Sequence, residues 1–246
     1  MCICGFQVLI FKMPRIQLQL IEKNEISRNI FLLKLQAASQ IQYHPGQLLS
    51  VEVAPKTYRS YSIVNFAFAF DSNTFHFLID TQGNGLGSTY IKNLAVGSSV
   101  NCIGPSGKFE IKNTLRPKIF VATSTGLAPF LEMIAQCSAL YPEIEHKIIF
   151  GTKSPDTNYG LKLFQQLNLN SRCQFYSCFS NSDNILSKNQ FQGYVTKNIP
   201  LIVPNLIECD FYLCGNTQMI VDVQELLLEN QVPKEQIFKE VYELGK

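Results

Sequence analysis

A change of pattern after Pro117 constrains the fold of this chain more than any other feature. Beyond that point, near-continuous apolar runs that predict strands alternate with helical patterns. Strands joined through helices run parallel, so this part of the chain predicts a doubly wound parallel sheet. The strands are predicted at 118–123, 147–152, 173–179, 210–214 and 237–242, and the helices at 127–140, 158–167 and 217–230.

The residues before Pro117 predict antiparallel β structure instead. Short alternating runs are separated by clusters of Asn, Gly, Pro and Ser, which is typical of an antiparallel barrel or sandwich. One short helix is predicted at 88–94, directly after a glycine-rich turn. The strands are predicted at 16–21, 30–35, 48–53 and 75–80.

The polar stretch 113–117 marks the predicted boundary between these two patterns. Met13 directly precedes the first strand pattern, so we expect residues 1–12 to form a loose tail. The predicted divisions are therefore a tail at 1–13, an antiparallel β domain at 14–114 and an α/β domain at 115–246.

Composition argues against several classes of function. The net charge is +2 over 246 residues, so no basic surface of the kind that nucleic-acid binding requires is indicated. No apolar run reaches the roughly 18–20 residues that a membrane span needs. The eight cysteines are scattered without a C-x-x-C motif, which favours buried thiols in a reducing cytoplasm and neither a metal site nor an iron–sulfur site. We also expect a monomer.

The segment 120–130 predicts a strand, a tight turn and a helix N-terminus in immediate succession. Apolar residues run into Thr123, Ser124, Thr125 and Gly126, and a helical pattern follows at once. The first N–H groups of a helix have no internal partner, so such a turn is a ready anion site. Pro129 suits the first helical turn, where its missing donor costs little. The segment is therefore suited to a phosphate-bearing cofactor.

A strand pattern at 59–63 carries side chains suited to a planar, phosphorylated ligand. Arg59 offers a planar fork for phosphate, Tyr61 a flat ring for stacking and Ser62 a small hydrogen-bond donor. Strand alternation predicts Arg59, Tyr61 and Ile63 on one face and the serines on the other. Taken alone, the pattern is more typical of an ordinary polar strand.

Three further turns complete the set of motifs. The glycine-rich stretch 83–89 either approaches an anion closely or forms a plain turn that ends in a Ser88 N-cap. The stretch 104–109 is predicted to be a turn. The stretch 214–219 ends a buried strand at the carboxyl edge of the sheet, where open α/β sheets bind ligands. Cys214 by itself is equally typical of a small buried residue that only fills space at the end of a strand.

Together, these five segments resemble the ferredoxin–NADP reductase family of flavoprotein reductases over residues 14–246. Residues 59–62 look like that family's flavin motif, 85–89 like its flavin-pyrophosphate loop, and 123–130 like its nicotinamide-nucleotide pyrophosphate loop. Further similar segments are Gly151-Thr152-Lys153 with Asp156 and Tyr159, Gly193–Thr196, and Cys214-Gly215. The resemblance implies a six-stranded-type FAD-binding barrel at 14–114 and an NAD(P)-binding domain at 115–246.

On the flavin side, the resemblance implies that Arg59 pairs with the FAD phosphates and that Tyr61 lies against the isoalloxazine. Ser62 would sit near the flavin N5. The resemblance also assigns Ile63 to the flavin motif, and it assigns the flavin pyrophosphate to a further set of residues: Gly87, Ser88 and Thr89.

On the nucleotide side, the resemblance implies that Thr125, Gly126 and Pro129 form the pyrophosphate turn of the NAD(P)H site. Cys214 and Gly215 would border the place where nicotinamide meets flavin. Further implied residues are Lys153 as a nearby cation, Glu240 as a carboxylate close to the flavin (or only a solvated acid), and Tyr242 as an aromatic cover for the flavin. The implied catalytic residues are Ser62, Cys214 and Glu240.

Two departures from the family pattern bear on the nucleotide site. Ser124 stands where the family usually has glycine, and a residue with a side chain there needs a permitted backbone conformation. Ser180-Asn181 stands where NADP-specific members have Ser-Arg, and the nearby cations are Lys153 and Lys188. A phosphate of nearly two charges favours an arginine fork, so NADH is at least as well supported as NADPH.

The function that the resemblance implies is an FAD-dependent reductase that takes a hydride from NAD(P)H. It would pass electrons to a separate acceptor, such as a ferredoxin, a flavodoxin or an oxygenase component. Two alternatives remain open: a flavin reductase that uses flavin as a diffusing substrate, and a non-catalytic flavin-binding subunit on the same fold.

Overall fold

The computed structural model describes residues 13–66, 71–182 and 187–241. The predicted tail at 1–12 and Tyr242 lie outside the described residues. The chain forms two six-stranded sheets, one after the other in sequence. The first is antiparallel and the second parallel, as the sequence predicts.

The first sheet has the strand order β4-β3-β6-β1-β2-β5. Its elements are β1 (Arg15–Ser27), β2 (Ile30–Gln42), β3 (Leu48–Ala54), β4 (Thr57–Ser62), β5 (Asp71–Asp80), α1 (Leu86–Asn93) and β6 (Ser99–Ser106). The backbones of Val64 and His76 exchange hydrogen bonds of 3.0 and 2.9 Å, which connects the chain after β4 to β5. The two edge strands are thereby joined and the sheet curls into a barrel.

The second sheet has the order β10-β9-β8-β7-β11-β12. Its strands are β7 (Lys118–Thr123), β8 (His146–Thr152), β9 (Cys173–Phe179), β10 (Gln190–Gln192), β11 (Asp210–Cys214) and β12 (Ile237–Glu240). Its helices are α2 (Ala128–Leu140), α3 (Tyr159–Gln166), α4 (Val195–Ile202) and α5 (Thr217–Glu229). Since β7 lies between β8 and β11, the strand order reverses there, and a crevice is expected at the carboxyl ends of β7 and β11.

Four elements, β6, β10, α4 and α1, differ in kind or starting point from the sequence-based prediction. The predicted turn at 104–109 was wrong in its first part, because β6 continues through Ser106 by pairing with β1 and β3. β10 and α4 were not predicted; α4 contains Pro200, which breaks a helical pattern. The helix predicted at 88–94 begins earlier, at Leu86, with Gly85 as its N-cap, so a Ser88 cap was wrong.

The two sheets share a continuous apolar core. Ile30, Val64 and Leu78 of the first sheet pack in one cluster with Phe130 and Met133 of α2. At the same interface, the Tyr43 hydroxyl donates to Glu132 Oε1 of α2, 2.5 Å away. A large apolar interface of this kind favours a fixed relative position of the two sheets.

A buried ion pair holds the connecting segment against the second sheet. Lys118 Nζ lies 3.1 Å from Asp210 Oδ2, and both side chains are almost fully buried at the start of neighbouring strands. Lys118 Nζ also donates to the Thr114 carbonyl and hydroxyl oxygens, and the Thr114 hydroxyl contacts Asp210. The segment 113–117 is therefore fixed at the edge opposite the carboxyl ends of these strands.

Candidate functional site

The flavin side of the candidate site is built by β4 and α1. A Cβ atom at Gly87 would lie 3.0 Å from Tyr61 Oη and 3.2 Å from Arg59 Cγ, so glycine lets α1 approach β4 without displacing these side chains. The Tyr61 ring packs beside Phe77, with ring centroids 5.8 Å apart. Arg59 Nη1 donates to the Tyr58 carbonyl oxygen, 2.9 Å away. The structure thus brings Arg59, Tyr61 and Gly87 together.

The first turn of α1 faces this group. Ser88 and Thr89 lie within that turn, and no side chain of the described residues caps it at Gly85. The first N–H groups of a helix are available to an anion when no cap takes them. Arg59 and the N-terminus of α1 therefore offer positive charge at the same place.

The structure places Ile63 differently from Arg59 and Tyr61. β4 ends at Ser62, and the Ile63 side chain is fully buried in the barrel core. The Ile63 amide donates to the Gln47 carbonyl oxygen, 2.9 Å away. This bond continues the register in which β4 pairs with β3. That Ile63 shares a face with Arg59 and Tyr61 therefore stays a prediction.

The three residues named as catalytic meet where the barrel contacts the second sheet. The Ser62 hydroxyl donates to Glu240 Oε2, 3.4 Å away, and Glu240 pairs in register with Cys214 on the neighbouring strand. Burial raises the pKa of Glu240 to about 7, and the Ser62 hydrogen bond opposes part of that rise. A carboxyl group with this pKa can hold or release a proton near neutral pH.

The nucleotide side is a turn between β7 and α2. Residues Ser124–Leu127 form a 3-10 turn, and Ser124 has a φ of 48°, the left-handed conformation that glycine adopts most readily. The backbone at Ser124 thus has the conformation expected of a position that the family usually fills with glycine. Thr125 is partly exposed in this turn, whereas Pro129 is buried in the first turn of α2.

Two glycines allow this turn to pack closely against the end of β11. A Cβ atom at Gly126 would lie 2.3 Å from the Cys214 carbonyl oxygen. A Cβ atom at Gly215, which has a φ of 138°, would lie 2.5 Å from Thr123 Oγ1. Thr123 Oγ1 also accepts a hydrogen bond from the Asn216 amide, 2.9 Å away. The sequence placed Thr123 in this turn motif but gave it no role, although it is the first hydroxyl residue after an apolar strand.

Lys153 lies farther along the same edge of the second sheet. It is exposed just after β8, and its carbonyl oxygen accepts a hydrogen bond from the Asn181 amide, 2.9 Å away. Ser180 and Asn181 therefore lie beside Lys153, as the resemblance implies for the nucleotide-selective segment. Lys188 is also exposed.

Comparisons with known proteins agree with this arrangement. The oxidoreductase FAD-binding domain model matches residues 17–111, and the oxidoreductase NAD-binding domain model matches residues 120–225. The chain belongs to the ferredoxin–NADP reductase-like FAD- and NAD-binding oxidoreductases. The two models match consecutive parts of the chain, the FAD-binding model first and the NAD-binding model second.

Two curated relatives of this family are electron transfer components of dioxygenases. The toluate 1,2-dioxygenase component of Pseudomonas putida is 30% identical over 208 residues, which cover 82% of this chain and 60% of the relative. The 2-halobenzoate 1,2-dioxygenase component of Burkholderia cepacia is 28% identical over 220 residues, which cover 86% of this chain and 62% of the relative. The chain thus spans about three fifths of the length of these relatives.

Solved structures share the fold. The cytochrome P450 reductase from Amycolatopsis superposes with a TM-score of 0.81 at 21% identity, covering 94% of this chain and 71% of the other. The ferredoxin reductase of a carbazole 1,9a-dioxygenase superposes with a TM-score of 0.78 at 19% identity, covering 94% of this chain and 70% of the other.

The residues present fit the two cofactors of this family. The close approach at Gly87 brings Arg59 next to the uncapped start of α1, which suits a flavin pyrophosphate. The glycines at 126 and 215 form the corresponding narrow turn on the nucleotide side. The six cysteines in the described part of the chain are buried, as expected. No helix in that part is long and apolar enough to cross a membrane.

Proposed function

We propose that this chain is an FAD-dependent reductase that transfers a hydride from NADH or NADPH to flavin and passes electrons to a separate acceptor. The observation that carries the proposal is the 3.4 Å contact between Ser62 Oγ and Glu240 Oε2. It joins the strand of Arg59 and Tyr61 to the sheet edge of Cys214. A flavin held by the first group would therefore face a nucleotide held beside the second.

Each side chain has a distinct part in this proposal. Bound FAD supplies the redox chemistry, by accepting a hydride and releasing electrons. Arg59 and the first turn of α1, with Gly87, Ser88 and Thr89, bind the flavin phosphates. Tyr61 orients the flavin ring.

On the nucleotide side, Thr125 and Gly126 bind the pyrophosphate, while Pro129 shapes the start of α2 by packing. Lys153 supplies a nearby positive charge. Cys214 and Gly215 set the position of the nicotinamide ring and help to exclude water from it. Glu240 holds or releases a proton at its carboxyl group, beside the Ser62 hydroxyl.

We assign the flavin domain to residues 14–114 and the nucleotide domain to residues 115–246. The matched segments 17–111 and 120–225 support this division. The connecting segment 113–117, which is held against the start of the second sheet, lies between them and supports it as well. The relatives' names, as dioxygenase electron transfer components, favour an oxygenase component as acceptor over a free ferredoxin or flavodoxin. We propose a cytoplasmic monomer.

The visible spectrum of the purified protein tests this function. The parent protein should show bound flavin, and NADH or NADPH should bleach its absorbance. Tight flavin that neither nucleotide bleaches would contradict the proposal and support a non-catalytic subunit. Colourless protein that reduces added flavin would likewise replace it with a reductase of diffusing flavin.

Replacing Arg59 tests the flavin side separately. Arg59→Ala should lose most of its flavin, because a charge-assisted contact to phosphate contributes roughly 1.5–3 kcal/mol. Arg15→Ala is the matched control, since Arg15 is an exposed arginine at the start of β1. Equal flavin content in the two variants would remove Arg59 from the site.

A further inference from the structure

Asp80, the last residue of β5, holds two loops of the candidate site together. Its Oδ1 accepts a hydrogen bond from the Gln82 amide, 2.8 Å away, in the loop that leads to α1. Its Oδ2 accepts a hydrogen bond from Ser124 Oγ, 3.2 Å away, in the turn that leads to α2. One carboxylate thus fixes the flavin-side loop and the nucleotide-side turn to each other.

The backbone of Ser124 shows what the serine side chain adds. Its φ of 48° is unfavourable for a residue with a Cβ atom, and glycine would adopt it freely. The side chain offsets part of that cost through its hydrogen bond to Asp80. The hydroxyl, rather than the backbone, is therefore the distinctive contribution of serine at this position.

Tyr159, at the start of α3, is the third polar residue of this group, beside Asp80 and Ser124. Its side chain is buried, and its hydroxyl makes no hydrogen bond of standard geometry to the described residues. Burial raises its pKa, the nearby Ser124 hydroxyl lowers it, and the Asp80 charge raises it. Both neighbours are therefore close to this hydroxyl, which stays protonated as a potential donor.

The Asp80 carboxylate opposes the charge that the turn is suited to bind. The turn offers N–H groups to a pyrophosphate, whereas Asp80 brings a negative charge within hydrogen-bond distance of its first residue. Asp80 is exposed, so this repulsion is screened by water and salt but not abolished. A pyrophosphate that enters the turn must also compete with Asp80 for the Ser124 hydroxyl.

We propose that Asp80 is a positioning residue that weakens nicotinamide-nucleotide binding by holding the Ser124 hydroxyl and by repelling the pyrophosphate. This inference rests on the proposed function and deepens it, since it concerns the affinity of that same turn. Weaker binding would speed the release of oxidised nucleotide after each transfer.

The test compares three variants of the flavin-loaded protein: Asp80→Asn, Ser124→Ala and Glu229→Gln. Isothermal titration calorimetry measures the Kd of the oxidised nucleotide. NAD+ is titrated if NADH bleaches the parent flavin faster than NADPH does, and NADP+ is titrated in the opposite case. Each titration is run at low and high salt, and the KM and kcat of flavin reduction are measured alongside. Asn is isosteric with Asp, and Glu229→Gln removes the same charge from the distant end of α5.

Asp80→Asn should lower the Kd and the KM about threefold to tenfold at low salt, and less at high salt, without raising kcat. Ser124→Ala should raise the Kd, because it removes a donor to the pyrophosphate and keeps the Asp80 charge. Glu229→Gln should match the parent. If the Ser124–Asp80 hydrogen bond only maintains the shape of the turn, Asp80→Asn and Ser124→Ala should both weaken nucleotide binding. That result would overturn the inference.

The two proposals fail in different ways. A parent protein that binds nucleotide by calorimetry but is not bleached contradicts the reductase function, while the Kd comparison still decides the role of Asp80. A parent protein that is bleached, with equal Kd values for Asp80→Asn and Glu229→Gln, overturns the role of Asp80 alone. A parent protein that binds no nucleotide contradicts both.

Discussion

The Ser62 hydroxyl of the barrel donates to the Glu240 carboxylate of the last strand, across 178 positions of sequence. Burial raises the pKa of Glu240 to about 7, and the hydrogen bond from Ser62 opposes that rise because it stabilises the ionised form. The rate of flavin reduction by NADH should therefore change with an inflection near pH 7 if this carboxyl group serves the reaction.

Two substitutions should move that inflection in defined ways. Ser62→Ala removes the bond to the ionised form, so the pKa should rise and the inflection should shift to higher pH. Glu240→Gln should abolish the inflection. Rapid-mixing measurements of flavin bleaching between pH 5 and 9 check both.

Ser60→Ala is the matched control, because Ser60 lies on the same strand but is exposed and contacts Ser50. Its profile should coincide with that of the parent. A shift to lower pH in Ser62→Ala, or an unchanged inflection in Glu240→Gln, would exclude this pair from the reaction.

The close packing of α1 against β4 predicts a sharp difference between two neighbouring glycines. Gly87→Ala would place a Cβ atom 3.0 Å from Tyr61 Oη and 3.2 Å from Arg59 Cγ, so the Tyr61 and Arg59 side chains must shift by a few tenths of an ångström from the positions in which they would hold the flavin. We expect it to lose flavin on gel filtration, as judged by the ratio of visible flavin absorbance to protein absorbance in the ultraviolet. Gly85→Ala should keep its flavin, since a Cβ atom there meets nothing within 4 Å. Equal retention would show that this packing does not support the flavin.

The sequence predicts the second sheet most accurately. β7, β9 and β11 have the predicted bounds, because strands buried on both faces appear as continuous apolar runs. β6 was missed because Gly104 and Pro105 are a local turn signal, which pairing with both neighbouring strands overrides. α4 was missed because it contains Pro200 and is only eight residues long.

The separate parts of the candidate site were visible in the sequence, but their contacts were not. Arg59 and Gly126 lie in recognisable motifs, whereas nothing local indicates that Asp80 would contact Ser124. Such contacts depend on how the barrel docks on the second sheet. Alternation likewise could not show that Ile63 would be fully buried in the barrel core.

Cys214 can be separated from other buried cysteines by a matched pair of substitutions. Cys214 and Cys178 are both almost fully buried at or near strand ends of the second sheet, but only Cys214 lies beside Gly126 and Glu240. Cys214→Ala should slow bleaching by NADH at least about threefold, since small misplacements of reacting groups are costly. Its flavin content should stay intact.

Cys178→Ala removes the same sulfur atom from a core farther along the sheet. It should lose a similar amount of stability, roughly 1–2 kcal/mol, and keep the parent rate of bleaching. Equal rates in the two variants would assign Cys214 a packing role only.

Glu132 gives a prediction about stability rather than activity. It is 2% exposed, and burial raises its pKa to about 8 even though Tyr43 donates a hydrogen bond to it. Between the ordinary glutamate pKa and about 8, the folded protein holds a proton here that the unfolded chain releases. The free energy of unfolding should therefore fall as the pH rises through this window, and then level off.

Glu132→Gln removes this proton linkage while keeping an oxygen that accepts from Tyr43. Its Tm relative to the parent should therefore rise steadily from pH 5 to 8, by roughly 5–10 °C in all, which corresponds to about 3 kcal/mol. Thermal unfolding followed by circular dichroism at several pH values measures the difference. Glu229→Gln, at an exposed position, should run parallel to the parent. A Tm difference for Glu132→Gln that stays constant with pH would mean that Glu132 is already ionised in the folded protein.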